Sequence, residues 1–233
     1  MNKMTDNTVS ESLTSARKRL RKALDKAERP ADAARLIAVS KTKPATMIRA
    51  AWELGQREFG ENYVQEALEK QVELADLEIV WHFVGPLQTN KSRIVAEHFD
   101  WIHSLDRDKL ARRLNDQRPA GLAPLNVCLQ VNVSGEASKS GVDFEALPAL
   151  AETVLALPRL QLRGLMAIPA PATTLEAQRV PLARLRQALE ALRLRFPETP
   201  LDTLSMGMSD DLEAAVLEGA TLVRLGTAIF GAR

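Results

Sequence analysis

The sequence lacks several features that would fix a function class. It holds one cysteine, Cys128, in 233 residues. No disulfide within the chain and no cysteine-rich zinc site is therefore available. Aromatic residues make up 4%, too few for the stacking platforms that bind single strands. Neither charge sign dominates, since 31 Lys and Arg face 30 Asp and Glu, for a net charge of +1. That balance argues against recognition of nucleic acid through a broad basic face. No run approaches the roughly 18 apolar residues that span a bilayer. Residues 1–20 lack the continuous apolar segment of a signal peptide. These absences predict a cytoplasmic protein with neither nucleic acid nor membrane as partner. No interface signature is visible, and a monomer is expected.

What is present is an alternation. Residues 10–28 carry Leu13, Leu20 and Leu24 at helical spacing. The basic cluster Arg17-Lys18-Arg19 reads as a solvated face of that helix. Short strands are then read at 36–40, a plainly apolar run, and at 58–62, 79–85, 99–105, 125–133, 160–168, 203–206 and 222–230. Each but the last is followed by a segment of helical period. Strands alternating with helices imply a parallel sheet. Eight such units can close into a single (β/α)8 TIM barrel, here with an extra N-terminal helix. Val127, Leu129 and Val131 read as barrel-interior residues, with Cys128 as core. A doubly wound open sheet is the rival, but it would usually carry a glycine-rich turn after its first strand. Ser40-Lys41-Thr42-Lys43 stands there instead. No linker, repeat or low-complexity stretch divides the chain, so residues 1–233 are expected to form one domain.

In such barrels chemistry gathers at the C-terminal ends of the strands. Lys41 ends the first strand, Asn62 ends the second, and His82 lies in the third. Met166 falls on the sixth strand, Ser205 and Ser209 flank the end of the seventh, and Arg224, Gly226 and Thr227 belong to the eighth. A buried lysine favours its neutral amine, the nucleophile that forms a Schiff base. Spacing alone leaves Lys41 either in that role or simply emerging into solvent. Ser205 to Asp211 combines two serines with a glycine before a helix start, where Asp210 and Glu213 have capping-box spacing. Loops after strands seven and eight hold phosphate in many barrels, although a capped helix without a ligand fits the same residues. Amine and phosphate cradle together suggest a phosphorylated aldehyde.

Six stretches carry a resemblance to a known family. They are AVSKTKP at 38–44, FGENYVQE at 59–66, WHFVGPLQ at 81–88, GLMAIP at 164–169, LSMGMSDD at 204–211 and VRLGTAIFG at 223–231. In this order they resemble the pyridoxal-phosphate homeostasis proteins (the YggS type), over essentially the whole chain after about residue 30. The resemblance implies a barrel similar to the N-terminal domain of alanine racemase, a fold-type III pyridoxal-phosphate protein. It implies that Lys41 holds pyridoxal 5'-phosphate as a Schiff base. It further implies that Ser205, Ser209, Gly226 and Thr227 surround the phosphate, that Arg224 faces the pyridine nitrogen and that Asn62 lies near the ring. His82 and Met166 are further cofactor-lining candidates, and Lys139 is an accessory one. The family is associated with vitamin B6 balance, and no robust turnover is attributed to it.

The residues give a reason for that. Racemisation needs an acid/base group on each face of the bound substrate. Lys41 could serve one face, but the sole tyrosine, Tyr63, follows strand two. An arginine never readily yields its proton, so Arg224 would leave the ring a poor electron sink. The expectation is a binding protein that releases cofactor to amines or to apo forms of pyridoxal-phosphate enzymes. A weak amino-acid racemase and a lysine-dependent aldolase acting on a sugar phosphate are the alternatives.

Overall fold

The computed structural model describes residues 3–135 and 140–232. Eight parallel strands close into one barrel in sequence order. They are β1 (Arg35–Val39), β2 (Glu58–Glu61), β3 (Val80–Phe83), β4 (Trp101–Leu105), β5 (Leu125–Gln130), β6 (Leu160–Met166), β7 (Thr203–Ser205) and β8 (Leu222–Leu225). Closure is made by β1 and β8, with Ile37 opposite Arg224 and Ala38 opposite Leu225. The fold is the TIM barrel expected from the alternation.

The helices are α1 (Lys3–Lys26), α2 (Ala45–Glu53), α3 (Val64–Glu73), α4 (Ser92–His98), α5 (Asp108–Gln117), α6 (Leu147–Leu155), α7 (Leu175–Arg195), α8 (Leu212–Leu217) and α9 (Thr227–Phe230). They form because apolar residues recur on one side. In α7 that side is Leu182, Leu185, Leu189 and Leu192, all buried against the sheet. Helix α1 extends the barrel, burying Val9, Leu13, Leu20 and Leu24 as it packs against α2, α8 and α9.

Four expectations change. The final strand ends at Leu225, not Phe230, because Gly226 caps the one-turn helix α9. The basic cluster of α1 is not a plain solvated face. Arg19 grips Glu213 with two hydrogen bonds of 2.8 and 2.6 Å, and Arg17 donates to the carbonyl of Leu54 at 2.7 Å. Glu213 is thereby taken from the expected capping box, and Asp211 precedes α8 as the cap residue. On β5 the parity is reversed. Val127, Leu129 and Val131 belong to the layer between sheet and helices. Cys128 instead packs with Ile37, Trp101, Met166 and Leu222 inside the barrel. A continuous apolar run leaves this choice of face open, since alternate residues must point to opposite sides. Burial pushes the Cys128 thiol up to about 12, so it stays protonated and unreactive.

Candidate functional site

A cavity of about 650 Å³ opens at the C-terminal ends of the strands. Lys41, Asn62, Ser209, Arg224, Gly226 and Thr227 all line it. The structure therefore brings six of the nine expected residues to one wall. Lys41 is half-buried there rather than enclosed.

The backbone around Lys41 is held on both sides. Before it, the carbonyl of Ser40 accepts from Lys70 Nζ at 2.7 Å, and Ser40 Oγ donates to Glu61 Oε1 at 2.6 Å. After it, the N–H of Thr42 donates to Glu66 Oε1 at 2.5 Å. Lys70 Nζ joins the two grips, lying 2.8 Å from Glu61 and 2.5 Å from Glu66. Thr42 takes φ of 64°, a costly value for a β-branched residue that persists only where its surroundings enforce it. The chain turns there, and Lys43 N–H bonds back to the Ser40 carbonyl at 3.1 Å. Glu61 is fully buried, and its Oε2 has no hydrogen-bond partner among the described residues. Burial raises its pKa, against the opposing pull of Lys70.

Two glycines shape the rim. A Cβ on Gly85 would stand 2.6 Å from the backbone oxygen of Asn62, so the β3 loop can approach β2 only without a side chain. Gly207 takes φ of 97°, which lets the chain turn after β7. Its carbonyl accepts from the Arg224 N–H at 2.9 Å. Asp211 Oδ1 then accepts from the N–H of Met208 at 2.7 Å and closes the loop that carries Ser209.

Arg224 is the electrostatic centre of the cavity. It is 5% exposed. Its Nη1 donates to Ser205 Oγ at 2.6 Å and its Nη2 to the Ala167 carbonyl at 3.1 Å. Both are neutral acceptors. Asp211 and Cys128 act on it only through space, and burial lowers its pKa to about 10. Among the described residues this guanidinium has no carboxylate in ion-pair contact, and such a buried charge favours any acceptor that enters the cavity.

Ser205, His82 and Met166 lie inside the barrel, not on the cavity wall, and all three are fully buried. Ser205 touches Arg224 and His103, so it supports a wall residue. Met166 belongs to the apolar interior cluster. His82 stacks on Trp101 at 5.4 Å between ring centroids. Lys139 lies outside the described residues. Tyr63 is 47% exposed, away from the cavity wall. Sequence reasoning missed Glu61, Glu66, Lys70 and His103. A signal existed for three of them. Glu61 ends a strand just after Phe59 and Gly60, and Glu66 and Lys70 stand four residues apart on one helix. Among the described residues no group of three His, Cys, Asp or Glu is placed to hold a metal.

This closed parallel barrel, with a lysine and a buried arginine at its C-terminal mouth, is of the alanine racemase class. Residues 12–233 match the family model described as alanine racemase, N-terminal domain. Within that class the chain belongs to the pyridoxal phosphate homeostasis protein family. It is 61% identical over 227 residues to the Pseudomonas aeruginosa pyridoxal phosphate homeostasis protein, covering 97% of this chain and 96% of that protein. Identity to the Escherichia coli K12 homeostasis protein is 52% over 230 residues, covering 97% of each. These relatives are named for homeostasis and not for a reaction. Among solved structures, PipY of Synechococcus elongatus with PLP bound superposes with a TM-score of 0.83 at 40% identity, covering 96% of this chain and 100% of that one. Alanine racemase from Corynebacterium glutamicum shares the fold at a TM-score of 0.73 and 16% identity, covering 98% of this chain and 62% of that one.

Proposed function

We propose that this protein binds pyridoxal 5'-phosphate in the cavity at the barrel mouth and takes part in intracellular vitamin B6 homeostasis. The observation that carries the reading is that Lys41 and the buried Arg224, which has no carboxylate in ion-pair contact among the described residues, line the same cavity. The residues fit the cofactor in kind. Lys41 supplies an amine for the aldehyde. The Ser209 and Thr227 hydroxyls supply donors for the phosphate beside Gly226, which packs closely on the Val39 carbonyl. Arg224 supplies a guanidinium for the ring nitrogen. The bound group offers a carbonyl carbon to which Lys41 Nζ joins as a Schiff base with loss of water.

The chain's own residues set the rest. The Lys70, Glu61 and Glu66 network fixes the backbone on either side of Lys41. Arg224 keeps its proton, so it donates to the ring nitrogen and does not protonate it. Asn62 flanks the ring. The cavity opens to solvent, so an incoming amine or an apo-enzyme can take the cofactor from Lys41. The protein acts in the cytoplasm and as a monomer. No helix among the described residues is long and apolar enough to cross a membrane.

Titration with the phosphorylated vitamer and with pyridoxal, followed by absorbance, tests this reading. The phosphorylated form binds about tenfold or more tightly, because charge-assisted hydrogen bonds to the phosphate are lost with pyridoxal. Equal affinity for the two would show that the Ser209 and Thr227 wall holds no phosphate.

A further inference from the structure

A line of polar side chains crosses the barrel interior. Arg224 Nη1 is 2.6 Å from Ser205 Oγ, and Ser205 Oγ is 2.7 Å from His103 Nδ1. His103 Nε2 is 2.9 Å from His82 Nδ1. His82 Nε2 lies 3.5 Å from Glu58 Oε1, an electrostatic contact and not a hydrogen bond among the described residues, and Glu58 pairs with Arg35 at 2.9 Å. His82, His103 and Ser205 are fully buried. The line joins β8, β7, β4, β3 and β2, so it runs across the lumen from the cavity towards the opposite end of the barrel.

Its two ends are chemically unlike. Arg224 can only donate, and the Glu58 carboxylate can only accept. Ser205 therefore accepts from Arg224, and its single proton is free to point to His103 Nδ1. His103 then carries its proton on Nε2 and donates to His82 Nδ1. His82 carries its proton on Nε2, towards Glu58. The reverse order would set a bare His82 lone pair against a carboxylate and leave the Ser205 proton buried without an acceptor. Burial holds both imidazoles below their usual range. Glu58 and Asp100 oppose this at His82, whereas Arg35 reinforces it there and His82 and Arg224 reinforce it at His103.

We propose that His103, His82 and Glu58 are positioning residues for Arg224: a one-way hydrogen-bond line from Arg224 to His82, oriented at its far end by the charge of Glu58, fixes the Ser205 hydroxyl as an acceptor and so fixes the guanidinium at the cavity. The direction of the line rests on these distances and on which atoms can donate. Its bearing on the cofactor rests on the function proposed above.

The test uses the full-length, ligand-free protein with nitrogen-15 in its three histidines, His82, His98 and His103. The exposed His98 signal is assigned with His98→Gln. The expected result is two neutral imidazoles, both protonated on Nε2. Glu58→Gln places a group that can also donate at the far end. It is expected to bring in the Nδ1-protonated form at His82 and His103. A wild-type His103 protonated on Nδ1, or unchanged tautomers in Glu58→Gln, would overturn the line.

The same variants are then loaded with pyridoxal 5'-phosphate. Glu58→Gln is expected to move the absorption maximum. His103→Leu is expected to weaken binding about tenfold, and His103→Asn, which keeps an acceptor for Ser205, to restore most of it. Altered tautomers with unaltered cofactor absorption and affinity would refute the positioning role. If the expected tautomers appear but the cofactor does not bind, the line stands and the proposed function falls.

Discussion

Lys41→Ala abolishes the visible absorption band that pyridoxal 5'-phosphate gains on binding, and the folded state remains. The two halves of this result have separate causes. The band requires a nitrogen joined to the cofactor carbon, and Lys41 supplies the amine on the cavity wall. The fold does not require it, because the contacts that hold its neighbours are made by Ser40, Thr42, Glu61, Glu66 and Lys70. Loss of a half-buried side chain with no role in that network changes stability by about 0.5 kcal/mol or less. Affinity falls as well, leaving only the phosphate and ring contacts. Absorbance and denaturant unfolding of the same sample check both halves. An unchanged band would remove Lys41 from the site.

Lys70→Met has the larger effect on stability. Side-chain exposure is 6% for Lys70 and 0% for Glu61. Removing the cation leaves a buried carboxylate unpaired, at a cost of about 3–5 kcal/mol. The sign of the pH dependence follows from Glu61. Burial already raises its pKa in the folded protein, and loss of Lys70 raises it further. The folded state then binds the proton more tightly than the unfolded chain does, so stability falls as pH rises through the carboxylate range. The deficit against wild type is therefore greatest at neutral pH and shrinks towards about pH 5. Urea unfolding at the two pH values measures it. A deficit below about 1 kcal/mol, or one that does not shrink on acidification, would show that Glu61 is not held charged by Lys70.

The barrel was legible because most strands are short and largely apolar, and the segments between them have the helical period; β2 (EFGE) and β7 (TLS) are placed by that alternation and not by their own composition. The end of the last strand was not. Leu222 to Phe230 is apolar almost throughout, and only the turn at Gly226 separates strand from helix. The same ambiguity hid the parity of β5, where apolar residues face both sides. At the site, residues closing strands beside glycine or lysine were visible one at a time. Lys41, Asn62, Ser209, Arg224, Gly226 and Thr227 meet on one wall as their positions implied. Relations across the lumen were not visible. His103 and Ser205 are 102 residues apart, and only closure of the barrel brings β4 within hydrogen-bonding reach of β7. The Glu61 and Lys70 pair was hidden differently. A lysine on α3 reads as solvent-facing until β1 and β2 are seen to bury it.

Borohydride reduction of the protein saturated with pyridoxal 5'-phosphate, followed by peptide mass spectrometry, tests the central claim most directly. A single pyridoxyl group on the peptide that contains Lys41, absent without reduction, is the expected result. Modification of a different lysine, or none, would contradict the account.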